Sequence, residues 1–290
     1  MLLQDSRLSA VLEVYGELTK QLSSPHRKRL PKTRGWYGNS TATGSHGLST
    51  TSLQLPQLTS AVRRHKALEA QPNAAHYSLA ALSRAMPAFQ TLSQNVDGLS
   101  QRADHPRDQL QLLHGTLFNV KCSQRNCNYI VEDFTDPIVP ALAIPTETDP
   151  TSNASRELDI SSPDVELPKI PASSLPQCPK CEKGLLRPGV VWFGEALPKD
   201  VIQNVEDFLS EGEGVDLIMV VGTSAKVYPA AGYIEEARDR GARVCVVNMD
   251  AGDKPPGGWA EGDWLFQGDA ATILPQLLRP VIGDVKGGRA

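Results

Sequence analysis

Val215-Asp216-Leu217-Ile218-Met219-Val220-Val221-Gly222-Thr223-Ser224 opens the stretch that decides the fold, and Ala242-Arg243-Val244-Cys245-Val246-Val247-Asn248 closes it. Each is a short apolar run rich in β-branched residues, the pattern of a strand buried on both faces. Between them Ala230 to Arg240 reads as a helix, and Gly241 stops it. A strand, a helix and a second strand in that order form a parallel unit, because a crossover returns the chain to run in the same direction. In such units ligands bind beyond the carboxyl ends of the strands. Here those ends are Gly222-Thr223-Ser224 and Asn248.

Working outward, the whole chain has 290 residues, which suits one large α/β domain carrying a smaller module. Its net charge of -4 excludes a protein held on nucleic acid or an anionic membrane by bulk charge. No window approaches the roughly 18 uninterrupted apolar residues that a membrane-spanning helix needs. Neither nucleic acid nor membrane is therefore expected as a direct partner. Asp5, Glu13 and Glu17 fall in an amphipathic run to Lys20, which fits neither a secretory signal nor an acid-poor mitochondrial presequence. An intracellular, reducing location follows as the expectation, with mitochondrial, cytoplasmic and nuclear sites all open.

Residues 1–60 read as a divergent segment of loop or disorder. From Ser23 to Ser60 the chain is rich in Ser, Thr and Gly and has too little apolar content to offset its ordering entropy. The run Pro25-His26-Arg27-Lys28-Arg29 reads first as a solvated charge cluster, with a nuclear address or a phosphate contact as the alternative. Order resumes at Arg63-Arg64-His65. After Pro72-Asn73 the run Ala74 to Leu82 spaces its larger apolar residues as one helix face, with Pro72 suiting the first turn. Residues 141–177 are again rich in Pro, Ser, Thr and acid, a linker or long surface excursion.

Five cysteines are too few for a disulfide scaffold, so their placement matters more than their number. Cys122 and Cys127 enclose four residues, and Cys178 and Cys181 enclose two. Two short cysteine loops supply the four thiolates that tetrahedral Zn²⁺ takes in structural sites, and a full sulfur set leaves no position open for catalysis. Four unrelated buried thiols or two disulfides are the alternatives. Cys245, inside an apolar strand, reads as a small core residue.

Two further clusters remain. Gln94-Asn95-Val96-Asp97-Gly98 gathers two amides and a carboxylate, and Leu113-His114-Gly115 follows a Leu-rich run. Alone, the first is a turn and the second an ordinary histidine. In chain order, Gln94 to Asp97, Leu113-His114-Gly115, the two cysteine pairs, Leu186-Arg187-Pro188-Gly189-Val190-Val191-Trp192-Phe193-Gly194-Glu195, Val221-Gly222-Thr223-Ser224 and the Val246-Val247-Asn248 strand end resemble the sirtuin family over roughly residues 60–280. Val227-Tyr228-Pro229-Ala230-Ala231 is most similar to its class III branch, associated with acidic acyl groups on lysine.

The resemblance implies an α/β fold: a doubly wound, Rossmann-like parallel sheet over residues 61–115 and 184–290, with a zinc module and its long polar insertion at 116–183. It implies NAD-dependent removal of an acyl group from protein lysine, an acetyl or a succinyl or malonyl group, with nicotinamide released and the acyl group passed to ADP-ribose. Acyl-lysine proteins would be the partners, with histones and metabolic enzymes among the candidates. His114 would be the general base, for which imidazole is suited near neutral pH. Gln94, Asn95 and Asp97 would hold the ribose and carboxamide, Gly222, Thr223 and Ser224 the adenosine side, and Asn248, Met249, Asp250 and Ala270 the adenine end. Val191, Phe193 and Gly194 would pair with the substrate backbone. Cys122, Cys127, Cys178 and Cys181 would hold one structural zinc.

The family's Gly-Ala-Gly-x-Ser turn, whose glycines let backbone approach a pyrophosphate, has no counterpart in residues 1–60. Its class III Tyr-x-x-Arg pair matches Ser60 and Arg63, which leaves Arg63 alone to read a substrate carboxylate. The likeness stops abruptly near Ala61 to Arg63, as a shifted reading frame or an alternative exon would make it do. A second reading therefore stands beside the enzyme: a catalytically silent, zinc-stapled module that keeps an acyl-lysine groove.

Overall fold

The computed structural model describes residues 11–13, 50–143, 170–192, 194–211 and 214–285. Nine strands appear among them: β1 Val11–Glu13, β2 Thr91–Ser93, β3 Leu110–Leu112, β4 Asn119–Cys122, β5 Ile130–Glu132, β6 Leu186–Pro188, β7 Leu217–Val221, β8 Arg243–Asn248 and β9 Trp264–Gln267. The helices are α1 Thr50–Glu69, α2 Ala74–Ala85, α3 Leu99–Arg102, α4 Lys199–Ser210, α5 Gly232–Asp239 and α6 Ala270–Ile282.

Six strands form one sheet in the order β3-β2-β1-β7-β8-β9, and every pairing in it is parallel. From its centre the chain winds one way through β1, β2 and β3 and the other way through β7, β8 and β9. That reversal is what makes a doubly wound sheet, and it puts all six carboxyl ends on one edge. The other three strands make a small antiparallel sheet, β5-β4-β6, with β4 in the middle.

The two central apolar runs are buried on both faces because helices cover both. Ile218 and Val220 of β7 and Val244 and Val246 of β8 pack with Val205 and Leu209 of α4 and Ile234 and Ala237 of α5. Met219, Val221, Cys245 and Val247 point the other way, against Leu79 and Leu82 of α2 and Leu274 and Leu278 of α6. Cys245 is thus a core residue, its thiol pushed up to about 12 by burial.

Asn73 starts α2: its Oδ1 accepts from the N–H groups of Ala75 at 3.0 Å and His76 at 3.3 Å, and the Asn73 N–H donates back to His76 Nδ1 at 3.2 Å. This reciprocal cap makes Asn73 the N-cap and puts Pro72 outside the helix, two residues before its first residue Ala74, not in the first turn as read from the sequence. His76 is 1 % exposed, and burial brings its pKa down to about 4. Its folded value lies below the unfolded value near 6.5, so the unfolded chain takes up the proton first. The stabilisation is whole above about pH 6.5 and is lost as pH falls toward 4. Between about pH 7 and pH 4.5 the parent should lose about 2–3 kcal/mol more than His76→Gln, because each tenfold difference in proton affinity between the two states is worth about 1.4 kcal/mol. Urea unfolding at the two pH values reads this loss.

The loop reading of residues 1–60 does not hold at two places. Val11-Leu12-Glu13 pairs with both β2 and β7 in the middle of the main sheet, and α1 begins at Thr50. A strand of three residues is too short to show a period, and Pro56 with the surrounding Ser and Thr hides the helix. The basic run at 25–29 and most of the polar stretch at 141–177 lie outside the described residues, as does Phe193. Among the described residues no helix is long and apolar enough to cross a membrane.

Candidate functional site

Because the main sheet is parallel, residues far apart in sequence meet at one edge. Gln94 follows β2, His114 follows β3 by two residues, Gly222 follows β7, Asn248 ends β8, and Ala270 opens α6 just after β9. The cysteines, Arg63 and the Leu186 to Glu195 segment, also singled out in the sequence, are not at these strand ends.

His114 is half-buried, and its Nδ1 lies 3.1 Å from the backbone oxygen of Gln94. A carbonyl can only accept, so Nδ1 carries the proton and Nε2 is left as the acceptor. The His114 oxygen in turn accepts from Val191 N–H at 2.9 Å, which joins the histidine to the Val191 segment. Gly115 makes this crossing close: at φ +71 a Cβ there would fall on the Gly189 carbonyl oxygen.

Asp97 is 5 % exposed and its Oδ1 accepts from Leu99 N–H at 3.0 Å. Burial raises its pKa, against the opposing backbone hydrogen bonds and Arg102. Gly98 at φ +73 begins α3 beneath it, with the Phe118 ring filling the space a side chain would need. Asn95 donates its N–H to Ser93 Oγ at 3.2 Å.

At the other half of the edge, Gly222 turns at φ +63 while its N–H donates to Val247 O at 2.9 Å. Thr223 Oγ1 accepts from Ala225 N–H at 3.0 Å, holding the tight turn that Ser224 occupies. Asn248 Nδ2 donates to Thr223 O at 3.0 Å and to Asp253 Oδ2 at 3.2 Å, and Lys226 Nζ meets Asp253 Oδ1 at 2.9 Å. Lys226 and Asp253 were not singled out in the sequence, because neither belongs to a motif. Met249 and Asp250 are exposed, and Ala270 is buried under the Asp269 cap.

A left-handed glycine at a strand end, half-buried amides at Gln94 and Asn95, the buried amide of Asn248 and a helix start on one edge are the features a dinucleotide requires. After β1, at the switch point, the sequence continues Val14-Tyr15-Gly16-Glu17, which lies outside the described residues.

The four cysteines of the two pairs form one cluster, their sulfurs all within 4.8 Å of one another. Cys122 and Cys181 sulfurs are 3.6 Å apart, and Cys127 and Cys178 sulfurs 3.7 Å. Four sulfurs at about 2.3 Å from a zinc ion stand about 3.8 Å apart in a regular tetrahedron, so the set fits the ion. Unpaired spacing of this kind also rules out two disulfides, whose sulfurs sit about 2.05 Å apart. The N–H groups of Lys183 and Gly184 favour the thiolate of Cys181, while burial pushes Cys122 up. With all four positions sulfur, the metal is structural.

Arg63 is exposed on α1, and no contact carries it to the His114 cluster among the described residues. Its neighbour Arg64, passed over in the sequence, is 2 % exposed: Nη1 donates to Leu117 O at 2.9 Å, Nε to Thr135 O at 3.1 Å, and the guanidinium lies over the Phe118 ring. Helical phase separates the two arginines, and phase was not readable while the start of α1 was hidden.

The Sir2 family model matches residues 48–229, which begins earlier than the likeness read from the motifs. The NAD-dependent protein deacylase of Candida albicans is 43% identical over 239 residues, 77% of this chain and 78% of its own length. The mitochondrial NAD-dependent protein deacylase sirtuin-5 of Xenopus tropicalis is 36% identical over 222 residues, 74% of this chain and 64% of its own length. Among solved structures, a Sir2 homologue in complex with NAD superposes with a TM-score of 0.61 at 28% identity, covering 94% of this chain and 88% of that one. With the doubly wound sheet, the inserted cysteine cluster and these relatives together, the chain belongs to the Sir2 family.

Proposed function

We propose that this chain is an NAD-dependent protein-lysine deacylase. The observation that carries the reading is His114: with Nδ1 held by the Gln94 carbonyl, Nε2 is free to take a proton at the edge where the parallel strands end. NAD would supply an electrophilic ribose carbon and a nicotinamide leaving group. Gln94, Asn95 and Asp97 would orient the ribose and carboxamide beside His114. Gly222, Thr223 and Ser224, with Asn248, Met249, Asp250 and Ala270, would hold the adenosine end. Val191, Phe193 and Gly194 would pair with the backbone of an acyl-lysine protein, such as a histone or a metabolic enzyme, and Val191 is already bonded to His114. Enclosing the reacting groups between that segment and the strand ends would keep water from competing with the acyl oxygen. Arg63 would favour acidic acyl groups.

The test is nicotinamide release from NAD by the purified full chain, with acetyl-lysine and succinyl-lysine peptides run in parallel. Release that depends on the peptide supports the enzyme. Absence of both release and NAD binding would favour the silent zinc-stapled module, a reading supported by the lack of any Gly-x-Gly in residues 1–60.

A further inference from the structure

Zinc in this chain is remote from the chemistry in role, yet the small sheet that contains it touches the segment proposed to pair with substrate. The link is Arg187. It lies on β6, opposite Lys121 of β4, and the next pair along that ladder is Cys122 with Leu186. Cys122 is one of the four zinc-cluster sulfurs. A single step along the ladder therefore separates the metal centre from Arg187.

Arg187 is 8 % exposed, and its guanidinium has three partners. Nη2 meets Glu195 Oε1 at 2.5 Å, Nη1 donates to Val190 O at 3.2 Å, and the plane lies over the Trp192 ring, 4.1 Å from its centre. The second carboxylate oxygen of Glu195 accepts from the Trp192 N–H at 3.1 Å, and the Glu195 N–H donates to Trp192 O at 2.9 Å. Glu195 thus holds Trp192 through both its backbone N–H and its carboxylate, and the arginine holds that carboxylate. At its other end the segment is fixed by Val191 to His114. A planar guanidinium is suited to such a site because it offers a fork to the carboxylate and a flat face to the indole together.

We infer that Arg187 and Glu195 are positioning residues through which the zinc module sets Val190, Val191 and Trp192 for the acyl-lysine substrate. Neither touches the reacting atoms, so neither is catalytic. The inference rests on the deacylase reading, since it gives that segment its substrate.

The experiment uses the full, zinc-loaded chain with Glu195→Gln, Arg187→Lys and the conservative Glu195→Asp. In Glu195→Gln the KM for acyl-lysine peptide should rise about tenfold, with kcat changed by less than about twofold and the KM for NAD unchanged, the split expected of lost substrate positioning. Zinc should stay at the parent level. Arg187→Lys should behave alike, having charge but no fork, and Glu195→Asp should recover most of the loss. In protein labelled with fluorotryptophan, the ¹⁹F resonance of Trp192, assigned by its loss in Trp192→Phe, should shift in Glu195→Gln before any substrate is added.

An unchanged peptide KM and an unmoved Trp192 resonance would overturn the inference. So would loss of zinc, or a fall of all kinetic parameters together, either of which makes the pair a fold determinant only. If the parent shows no turnover, peptide binding measured directly replaces the KM. Equal affinity in parent and variant then overturns this inference alone, whereas a parent that neither turns over nor binds peptide fails on the deacylase reading and takes the inference with it.

Discussion

Replacing His114 with alanine should lower peptide-dependent nicotinamide release by about 10²- to 10⁴-fold, the usual contribution of a positioned general base. The size follows from how the ring is held. Gln94 O fixes the tautomer through Nδ1, and Val191 N–H fixes the backbone through the His114 oxygen, so alanine removes the imidazole while leaving the main-chain bond in place. NAD affinity should therefore change little, and the loss should appear in kcat. His105, the nearest other histidine in sequence, offers no substitute: it is 4 % exposed, with Nε2 between Ser83 Oγ at 3.0 Å and Thr91 Oγ1 at 2.9 Å. Activity within about tenfold of the parent would remove His114 from the role of base.

Cys178→Ser should take the bound zinc from about one equivalent per chain to none, read by metal analysis after gel filtration. Cys178 is 1 % exposed and packs with Cys122, Val120 and Leu186, so a serine there is a poor ligand and a buried hydroxyl at once. Losing the metal removes the tie that joins the Cys122 and Cys178 loops beyond their short backbone contacts, and structural zinc contributes folding energy directly. The main sheet has its own two cores against α2 and α6 and against α4 and α5, so hydrogen exchange should rise in β4, β5 and β6 while β7 and β8 stay protected. A variant that retained its zinc would contradict the four-thiolate site.

How much of this was legible in the sequence depended on whether the signal was local. β7 and β8 announce themselves because a buried parallel strand needs only an unbroken apolar run. The cysteine pairs were legible because their spacing is the chemistry. The turn read from Asn95-Val96-Asp97-Gly98 exists, with Gly98 left-handed at the start of α3 and Asp97 just after the carboxyl end of β2. What stayed hidden was set by partners far along the chain. Val11-Leu12-Glu13 becomes a central strand only because β2 and β7 flank it, and nothing in three residues says so. Arg64 and Arg63 look alike until the phase of α1 decides which is buried. Glu195 belonged to a recognised motif, but its service to Arg187 and Trp192 is a matter of three dimensions.

Leu142 and Ile170 lie in one apolar cluster with Leu175 and Leu185, so the chain leaves the zinc module and returns to it at nearly the same point. Because closing a loop costs only about 0.6 kcal/mol more for each doubling of its length, changing the number of residues between those two anchors costs the fold little. Residues 144–169 are therefore the natural place for this protein to gain or lose length over evolution, and for a fluorescent or affinity tag to be carried with both the four sulfurs and His114 left where they are.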